Sequence, residues 1–411
     1  MKNIWIINHY AMPPKYEVRP RNNVMARYLL DEGYNVKIFS ASTIHNTNIN
    51  LVDNNRKLYM EKEYDGLSFV HIRTSNYSGN GISRIVNMLQ FPWRLYKIAK
   101  KIKGYPDIII CDLEAIFAVS PYLISKHYKS KFILEVRDLW PESIVEYKNL
   151  SKKNPIIRFM YQLEKWIYKK ADKIVFTMEG GKDYIVDKKW DKKIELSKVY
   201  YINNGVDLEQ FYYNKETFEV IDNDIENTKT FKVVYAGSIR LANNVRKIID
   251  AAEIIKEKGY DNIKFLIYGD GTDKKYLQSY CLENKLDNVI FKGFIDKKNI
   301  PYILCKCNLN IMHFEQNNLK KYGASLNKMF EYFASGRPTV SDCEFGYDLI
   351  KKYKCGSVVD NAESTRLADE IISFYNMPKT KYDFYCENAL KAAKDYDYKS
   401  LTKQLIEVIK Q

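Results

Sequence analysis

The sequence predicts an α/β fold made of two domains, each a doubly wound, mainly parallel sheet. Three observations predict it. Short apolar runs alternate with amphipathic stretches through the first half, the alternation starts again near residue 231, and a polar, acidic stretch separates the two series. At 411 residues the chain is also long for a single core, which favours two domains of about 150–200 residues.

In the first half, strands are expected over residues 3–8, 36–40, 68–72, 107–111, 132–136 and 173–177, each a short apolar run. Residues 22–32 read as a helix, because Val24, Met25, Tyr28 and Leu29 recur at helical spacing and Gly33 supplies the stop. Residues 84–103 read as a basic helix. Arg94, Lys97 and Lys101 share one face, Ile85, Leu89, Leu95 and Ile98 lie on an apolar side, and Pro92 is expected to kink or break the run. Arg158, Lys165 and Lys169 repeat the basic spacing in the next long helix, with Trp93 and Trp166 nearby. Such faces suit docking on anionic lipid, and they equally suit a packed apolar side with a solvated basic one.

In the second half, strands are expected over 231–235, 263–268, 289–291, 309–312, 338–340 and 357–359, with helices over 245–258, 273–285 and 327–334. Residues 206–230 read as a linker, since Asp222, Asp224, Glu226 and Asn227 leave its later part acidic and weakly patterned. The expected boundaries are therefore an N-terminal domain over 1–205, a second domain over 231–378, and C-terminal helices over 379–411 that cross back to the first. Sheets of this kind bind ligands at the C-terminal ends of their strands, so two facing domains would share a cleft there.

Composition narrows the function classes. With 46% hydrophobic and 28% charged residues, the chain can bury real cores. No apolar run has the 18 or more residues of a membrane span, and the opening residues lack the pattern of a secretory leader. Seven scattered cysteines make a poor disulfide framework and suit a reducing compartment, and the Cys305/Cys307 pair lacks a second pair at zinc spacing. The net charge of +14 is unevenly spread: residues 1–200 carry 34 Lys and Arg against 21 Asp and Glu, whereas residues 201–411 carry 31 against 30. An anionic partner is expected near the first half.

Three segments of the second half could handle phosphate. Gly269 and Gly271 bracket a turn after an apolar strand and before a helix, where glycines would admit a phosphate to backbone amides. A third glycine is absent, so a dinucleotide fingerprint is incomplete. In the loop after 231–235, Gly237 permits close approach, Ser238 and Asn243 offer hydrogen bonds, and Arg240 offers a forked cation. In the helix at 327–334, Lys328 and Glu331 share a face near the N-terminal end, where a cation and helix amides can hold a diphosphate and a carboxylate can accept from ribose hydroxyls. On these residues alone, an ordinary strand–helix loop and a surface ion pair remain equally open readings.

The segment from Lys328 to Pro338 resembles the donor-binding segment of the retaining glycosyltransferases of family four, whose fold is the two-domain GT-B type. Arg137-Asp138-Leu139-Trp140-Pro141-Glu142-Ser143, Ile202-Asn203-Asn204-Gly205-Val206-Asp207, the Gly237 and Gly269 turns and the opening Asn8-His9-Tyr10 resemble the subgroup that builds bacterial capsule and O-antigen polysaccharides, including amino-sugar transferases. Two positions depart from the broader family: Gly323 stands where a glutamate lies eight residues before Glu331, and the usual Arg and Lys of the diphosphate loop fall on Ser238 and Asn243. Arg240 and Lys328 are the candidates for the missing charge.

The resemblance implies a nucleotide sugar, UDP-linked, in the second domain. Its ligands would be Gly237, Ser238, Arg240, Asn243, Gly269, Gly271, Ser325, Leu326, Asn327, Lys328 and Glu331, with Phe294 or Ile295 beside the base. It implies an acceptor on the first domain, a lipid-diphosphate-linked saccharide or polysaccharide. There Arg19, Arg21 and Arg137 would bind acceptor phosphate, and His9, Glu135 and Asp138 are the catalytic candidates. No cofactor is expected, and no metal either, since Asp222-Asn-Asp224 and Asp395-Tyr-Asp397 lie away from the donor strands. The expected location is cytoplasmic, peripheral on an anionic membrane surface, without nucleic acid. The rival readings are a UDP-sugar 2-epimerase on the same fold, and a non-enzymatic protein using only its basic half to bind membrane or nucleic acid.

Overall fold

A computed structural model describes residues 1–411 except 18, 19, 46, 53, 55, 78, 80, 241, 242, 315, 316 and 360–362. The chain divides into two compact units, one of residues 1–203 with 401–411 and the other of residues 204–400.

The first unit contains eight strands: β1 (Asn3–Ile7), β2 (Asn35–Ala41), β3 (Tyr59–Tyr64), β4 (Leu67–Ile72), β5 (Ile108–Cys111), β6 (Lys131–Val136), β7 (Lys173–Phe176) and β8 (Val199–Tyr201). They lie in the order β3-β4-β2-β1-β5-β6-β7-β8. β3 is antiparallel to β4, and the others pair in parallel. The inner strands read as unbroken apolar runs because helices cover both faces; Ile108–Cys111 is wholly buried. The two edge strands escaped the sequence reading for opposite reasons. β3 is a polar, half-exposed YMEKEY, and β8 is only three residues long.

The second unit is a six-stranded parallel sheet of β9 (Phe231–Ala236), β10 (Ile263–Tyr268), β11 (Val289–Gly293), β12 (Leu309–Met312), β13 (Thr339–Ser341) and β14 (Gly356–Val358). Its order is β11-β10-β9-β12-β13-β14. Helix Val245–Glu257 buries Ile248, Ile249, Ala252 and Ile255 against it, in one cluster with Val233, Phe265 and Leu309.

Three expectations are corrected. Residues 206–230 are not a linker. They form helices Leu208–Thr217 and Asn223–Glu226 within the second unit, where Ile225 is buried. The acidic residues there neutralise lysines from the same unit: Lys292 pairs with Asp222 at 2.8 Å and Asp224 at 2.5 Å, and Lys306 pairs with Glu226 at 3.1 Å. An acidic, unpatterned stretch reads as a linker until its counter-ions are placed. Pro92 does not break its helix, which runs from Ile82 to Ile98; its carbonyl accepts a bond from Ser120 Oγ at 2.6 Å. Finally, helix Lys379–Asp395 stays in the second unit, where Phe330 packs on Tyr396, and only residues 401–411 belong to the first.

Candidate functional site

In the second unit the strand order reverses between β9 and β12, so the loops after these two strands flank the ligand-binding end of the sheet. After β9 comes Gly237, and after β12 the chain returns as helix Asn327–Ala334. The buried Tyr332 holds that helix to both strands: its hydroxyl accepts from Ala236 N at 3.1 Å and donates to Ile311 O at 3.4 Å. The far end of the helix is fixed by Asn310, whose amide donates to Ser335 Oγ and to the Tyr332 and Arg337 carbonyls.

This anchoring aims Lys328 at the switch point. Its ammonium lies 4.8 Å above the Tyr235 ring, 3.1 Å from where a side chain on Gly237 would begin. Gly237 thus leaves room for a cation. Among the described residues, Lys328 has no carboxylate or hydrogen-bond partner, and burial alone lowers its pKa to about 8. The helix it starts has no side-chain cap at Leu326 and no acidic residue in its first turn, so its leading amides face no competing anion from the helix itself. Of the neighbouring positions, Ser325 carries main-chain and hydroxyl bonds from Asn204, within the same unit. Glu331 lies 3.6 Å from Lys297, which brings the loop after β11 beside the helix; Phe294 in that loop is 75% exposed and Ile295 is half-buried.

The other candidates in this unit divide. Arg240 is exposed, without an ion-pair partner among the described residues. Ser238 and Asn243 bond each other, Asn243 Nδ2 donating to Ser238 Oγ at 2.6 Å and to its carbonyl at 2.9 Å, so they shape the loop. The Gly269 and Gly271 turn does not hold open space. A Cβ on Gly269 would fall 1.8 Å from Gly237 O, and one on Gly271 would fall 2.1 Å from Ile239 O. Gly237 N and Ile239 N donate to Tyr268 O and Asp270 O, so these glycines let two loops lie main chain against main chain. Their close packing places Gly237. Gly269→Ala, at φ +141°, is expected to cost at least about 2 kcal/mol in chemical denaturation and to weaken ligand binding at Gly237.

The sequence reading missed a buried cluster beside this site. His313 Nδ1 lies 2.6 Å from Asp342 Oδ2, and Lys247 Nζ lies 2.8 Å from the same oxygen. Loops after β12 and β13 and the first turn of helix Val245–Glu257 supply the three. Spacing in the chain gives no sign of such a meeting.

In the first unit the switch point falls between β1 and β5. Asn8 and Asp112, at the ends of these strands, meet there through Asn8 Nδ2 and Asp112 Oδ2 at 2.5 Å. Arg137 NH1 donates to the same oxygen at 2.6 Å. Burial pushes the Asp112 acid up to about 7, opposed by Arg137. Asp112 was not singled out from the sequence, because it looks like any polar residue ending an apolar run.

One expected acceptor ligand and two expected catalytic residues of the first unit are corrected. Arg21 is 1% exposed and spends four N–H groups internally, on both oxygens of Glu135 and on the carbonyls of Ile202 and Asn203. It is a buried support, not an acceptor ligand, and Glu135, 4% exposed, is its counter-ion. His9 is also buried. Its Nε2 lies 2.7 Å from Asn87 Oδ1, and its ring stands edge-on to Tyr10 and Phe91. Burial lowers its pKa to about 4, so it is neutral near pH 7 and closed to a substrate. Asp138 is exposed and Arg137 partly so, which leaves these two in contact with solvent. Arg19 lies outside the described residues.

Comparison with known proteins bears on the family and the fold. A family model for glycosyl transferases group 1 matches residues 217–392, and one for glycosyltransferase family 4 matches residues 24–210. TuaH of Bacillus subtilis, named as a glycosyltransferase of teichuronic acid biosynthesis, is 27% identical over 235 residues, covering 56% of this chain and 55% of its own. WbjE of Pseudomonas aeruginosa, named as a glycosyltransferase, is 22% identical over 223 residues, covering 54% of this chain and 53% of its own. The chain spans about half the length of the curated relatives it matches. Among solved structures, a sucrose-phosphate synthase of Thermosynechococcus elongatus shares the fold at a TM-score of 0.71 and 14% identity, over 100% of this chain and 99% of that one. HepE of Anabaena, solved with UDP and glucose, does so at 0.67 and 14%, over 100% of both. Two family models spanning most of the chain, on two parallel-sheet units of the kind these structures share, show that the chain belongs to the GT-B glycosyltransferases of the family-four type.

Proposed function

We propose that the chain transfers a hexose or N-acetyl amino sugar from a UDP-sugar to a lipid-linked or surface-polysaccharide acceptor, with retention. The observation that carries the donor reading is the ammonium of Lys328, without a carboxylate or hydrogen-bond partner among the described residues and held against Gly237 at the switch point beside an uncapped helix start. In this reading Lys328 and the leading amides of residues 327 and 328 take the diphosphate, Arg240 adds a cation from the opposite loop, and Glu331 accepts from the ribose. Phe294 stacks on the base, for which its exposure is suited.

The chemistry follows from that charge layout. The bond from the sugar C1 to the diphosphate oxygen breaks with its electron pair on the oxygen, giving an oxocarbenium-like state. The growing negative charge meets Lys328 and the helix amides, which are oriented before reaction. The acceptor hydroxyl oxygen then bonds to C1 on the departing face, and its proton passes to the leaving phosphate oxygen, so no protein base is required. The acceptor is read onto the first unit, where Arg137 and Asp138 reach solvent. Teichuronic acid in the name of TuaH supports a surface polysaccharide, and a lipid-borne acceptor would place the protein at the cytoplasmic face of a membrane.

A thermal-shift screen of UDP, GDP and their sugars tests the donor assignment, followed by transfer assays on lipid-diphosphate saccharides. UDP and at least one UDP-sugar should raise the melting temperature at millimolar concentration. No shift with any nucleotide would sink the reading.

A further inference from the structure

Helix Ile82–Ile98 carries two apolar faces, not one. The inner face buries Phe91, Pro92, Leu95 and Ile98. On the outside, Ile82, Ile85, Val86, Leu89, Trp93 and Tyr96 are each between 42% and 79% exposed. Ile82, Ile85, Leu89, Trp93 and Tyr96 follow one another in steps of three or four residues, with Val86 beside them, which is the spacing of one continuous helical stripe. The sequence reading grouped Ile85 and Leu89 with the buried side; the structure separates them from it. Exposed apolar stripes of this length are uncommon on a free protein surface and mark a face that something else covers.

The charge around the stripe indicates what covers it. Residues 66–106 contain no Asp or Glu and seven Lys or Arg. Arg84 and Arg94 turn back onto the protein, to the Tyr10 hydroxyl and the Arg73 carbonyl. Lys97, Lys100, Lys101 and Lys103 are exposed at the end of the stripe, and the Lys97 ammonium lies 3.6 Å over the Trp93 ring. A helix with apolar and aromatic residues facing out, a cluster of lysines at one end and no acid suits the boundary between lipid headgroups and acyl chains. A protein partner would call for polar pairing along the rim, whereas these long cations are free to follow mobile headgroups. No helix among the described residues is long and apolar enough to cross a membrane, so the stripe would lie on the surface. At 1.5 Å per residue its 17 residues would lie along about 25 Å of bilayer.

We infer that the outer face of helix Ile82–Ile98, with the lysines that follow it, is an interfacial anchor that docks the first unit on an anionic bilayer. This rests on the reading of a lipid-borne acceptor for its purpose but not for its geometry. Shallow insertion of Leu89 and Trp93 supplies the apolar contact, and the lysines supply a salt-sensitive attraction.

The test is flotation of the full-length chain with vesicles of phosphatidylcholine alone or with 30% phosphatidylglycerol, the latter composition being about one anionic lipid in three. The wild type should float with the anionic vesicles at low salt, at least tenfold better than with neutral ones, and should be released by about 0.5 M salt. Leu89→Ser with Trp93→Ser, and separately glutamine at the four lysines, should each reduce binding about tenfold or more. Their thermal shift with UDP should stay at the wild-type value, which shows that they fold and keeps this test apart from that of the donor site. Wild-type protein that ignores anionic vesicles, or variants that bind as well as wild type, would overturn the anchor. So would a wild-type dimer that becomes monomeric in the Leu89 and Trp93 variant, since the stripe would then be an interface between copies of the chain.

Discussion

Lys328→Ala is expected to weaken UDP binding by roughly 30- to 100-fold, about 2–3 kcal/mol, as read by calorimetric titration at pH 7. The size follows from the setting. Among the described residues the ammonium has no counter-ion, so its interaction with a diphosphate breaks no other pair there, and the nearby helix amides and Tyr235 ring leave little water to screen it. The pH dependence makes the prediction specific. Burial lowers Lys328 to about 8 in the unliganded protein, while a bound diphosphate favours the ammonium and raises that value. Above pH 8 binding must therefore take up a proton, and affinity should fall as pH rises from 7 to 9; below pH 7 this dependence vanishes. The Ala variant removes the proton uptake, so the difference between the two profiles isolates the lysine. Equal slopes would show that some other group carries the charge. Stability should move the other way. A lysine whose folded pKa lies below its unfolded value opposes folding where it is protonated, so Lys328→Met should raise the melting temperature of the unliganded protein at pH 7.

The part of the fold that the sequence made legible is the part set by local pattern. Ile263–Tyr268 and Leu309–Met312 are strands at the expected bounds, and helix Asn327–Ala334 lies where expected, with Gly336 just beyond its end. What escaped depends on partners distant in the chain. The acidic helix Asn223–Glu226 needs Lys292 to explain it, seventy residues away, and polar β3 is a strand only because β4 offers it an edge. The same division runs through the site. Lys328 and Glu331 could be singled out because both sit on one helix, three residues apart, whereas Asp342 meets His313 and Lys247 only through two strand-end loops and a separate helix. Gly269 shows the opposite failure: its identity signalled a close approach, and the approaching group turned out to be the Gly237 carbonyl. A glycine reports that something is near, not what it is.

Arg21→Ala is expected to lower the stability of the first unit by about 3–5 kcal/mol, seen as a shift of its urea transition at pH 7. Arg21 opens helix Arg21–Asp31, where a cation opposes the helix dipole, and it is tolerated because the guanidinium turns inward onto Glu135. Both oxygens of Glu135 accept from it at 2.9 Å, and the remaining donors close the carbonyls of Ile202 and Asn203 at the end of the unit's last strand. Truncation would leave a buried carboxylate with only Arg137, 3.7 Å away, and two carbonyls unpaired. In the wild type, burial pushes the Glu135 acid up, but Arg21 and Arg137 together hold it below its ordinary value. A depressed carboxyl stabilises the fold above its unfolded pKa and loses that contribution as pH falls through the folded one. Without Arg21 burial would win, and Glu135 would protonate more readily in the folded protein. The deficit of the variant should therefore be largest at pH 7 and shrink towards pH 4.5. An equal deficit at both values would mean that packing, not the ion pair, is lost. The same variant separates the two roles considered for Arg21. Below its transition, a support for β6 and the β8 end leaves the acceptor KM unchanged in the folded fraction, whereas a ligand for acceptor phosphate would raise that KM with kcat preserved.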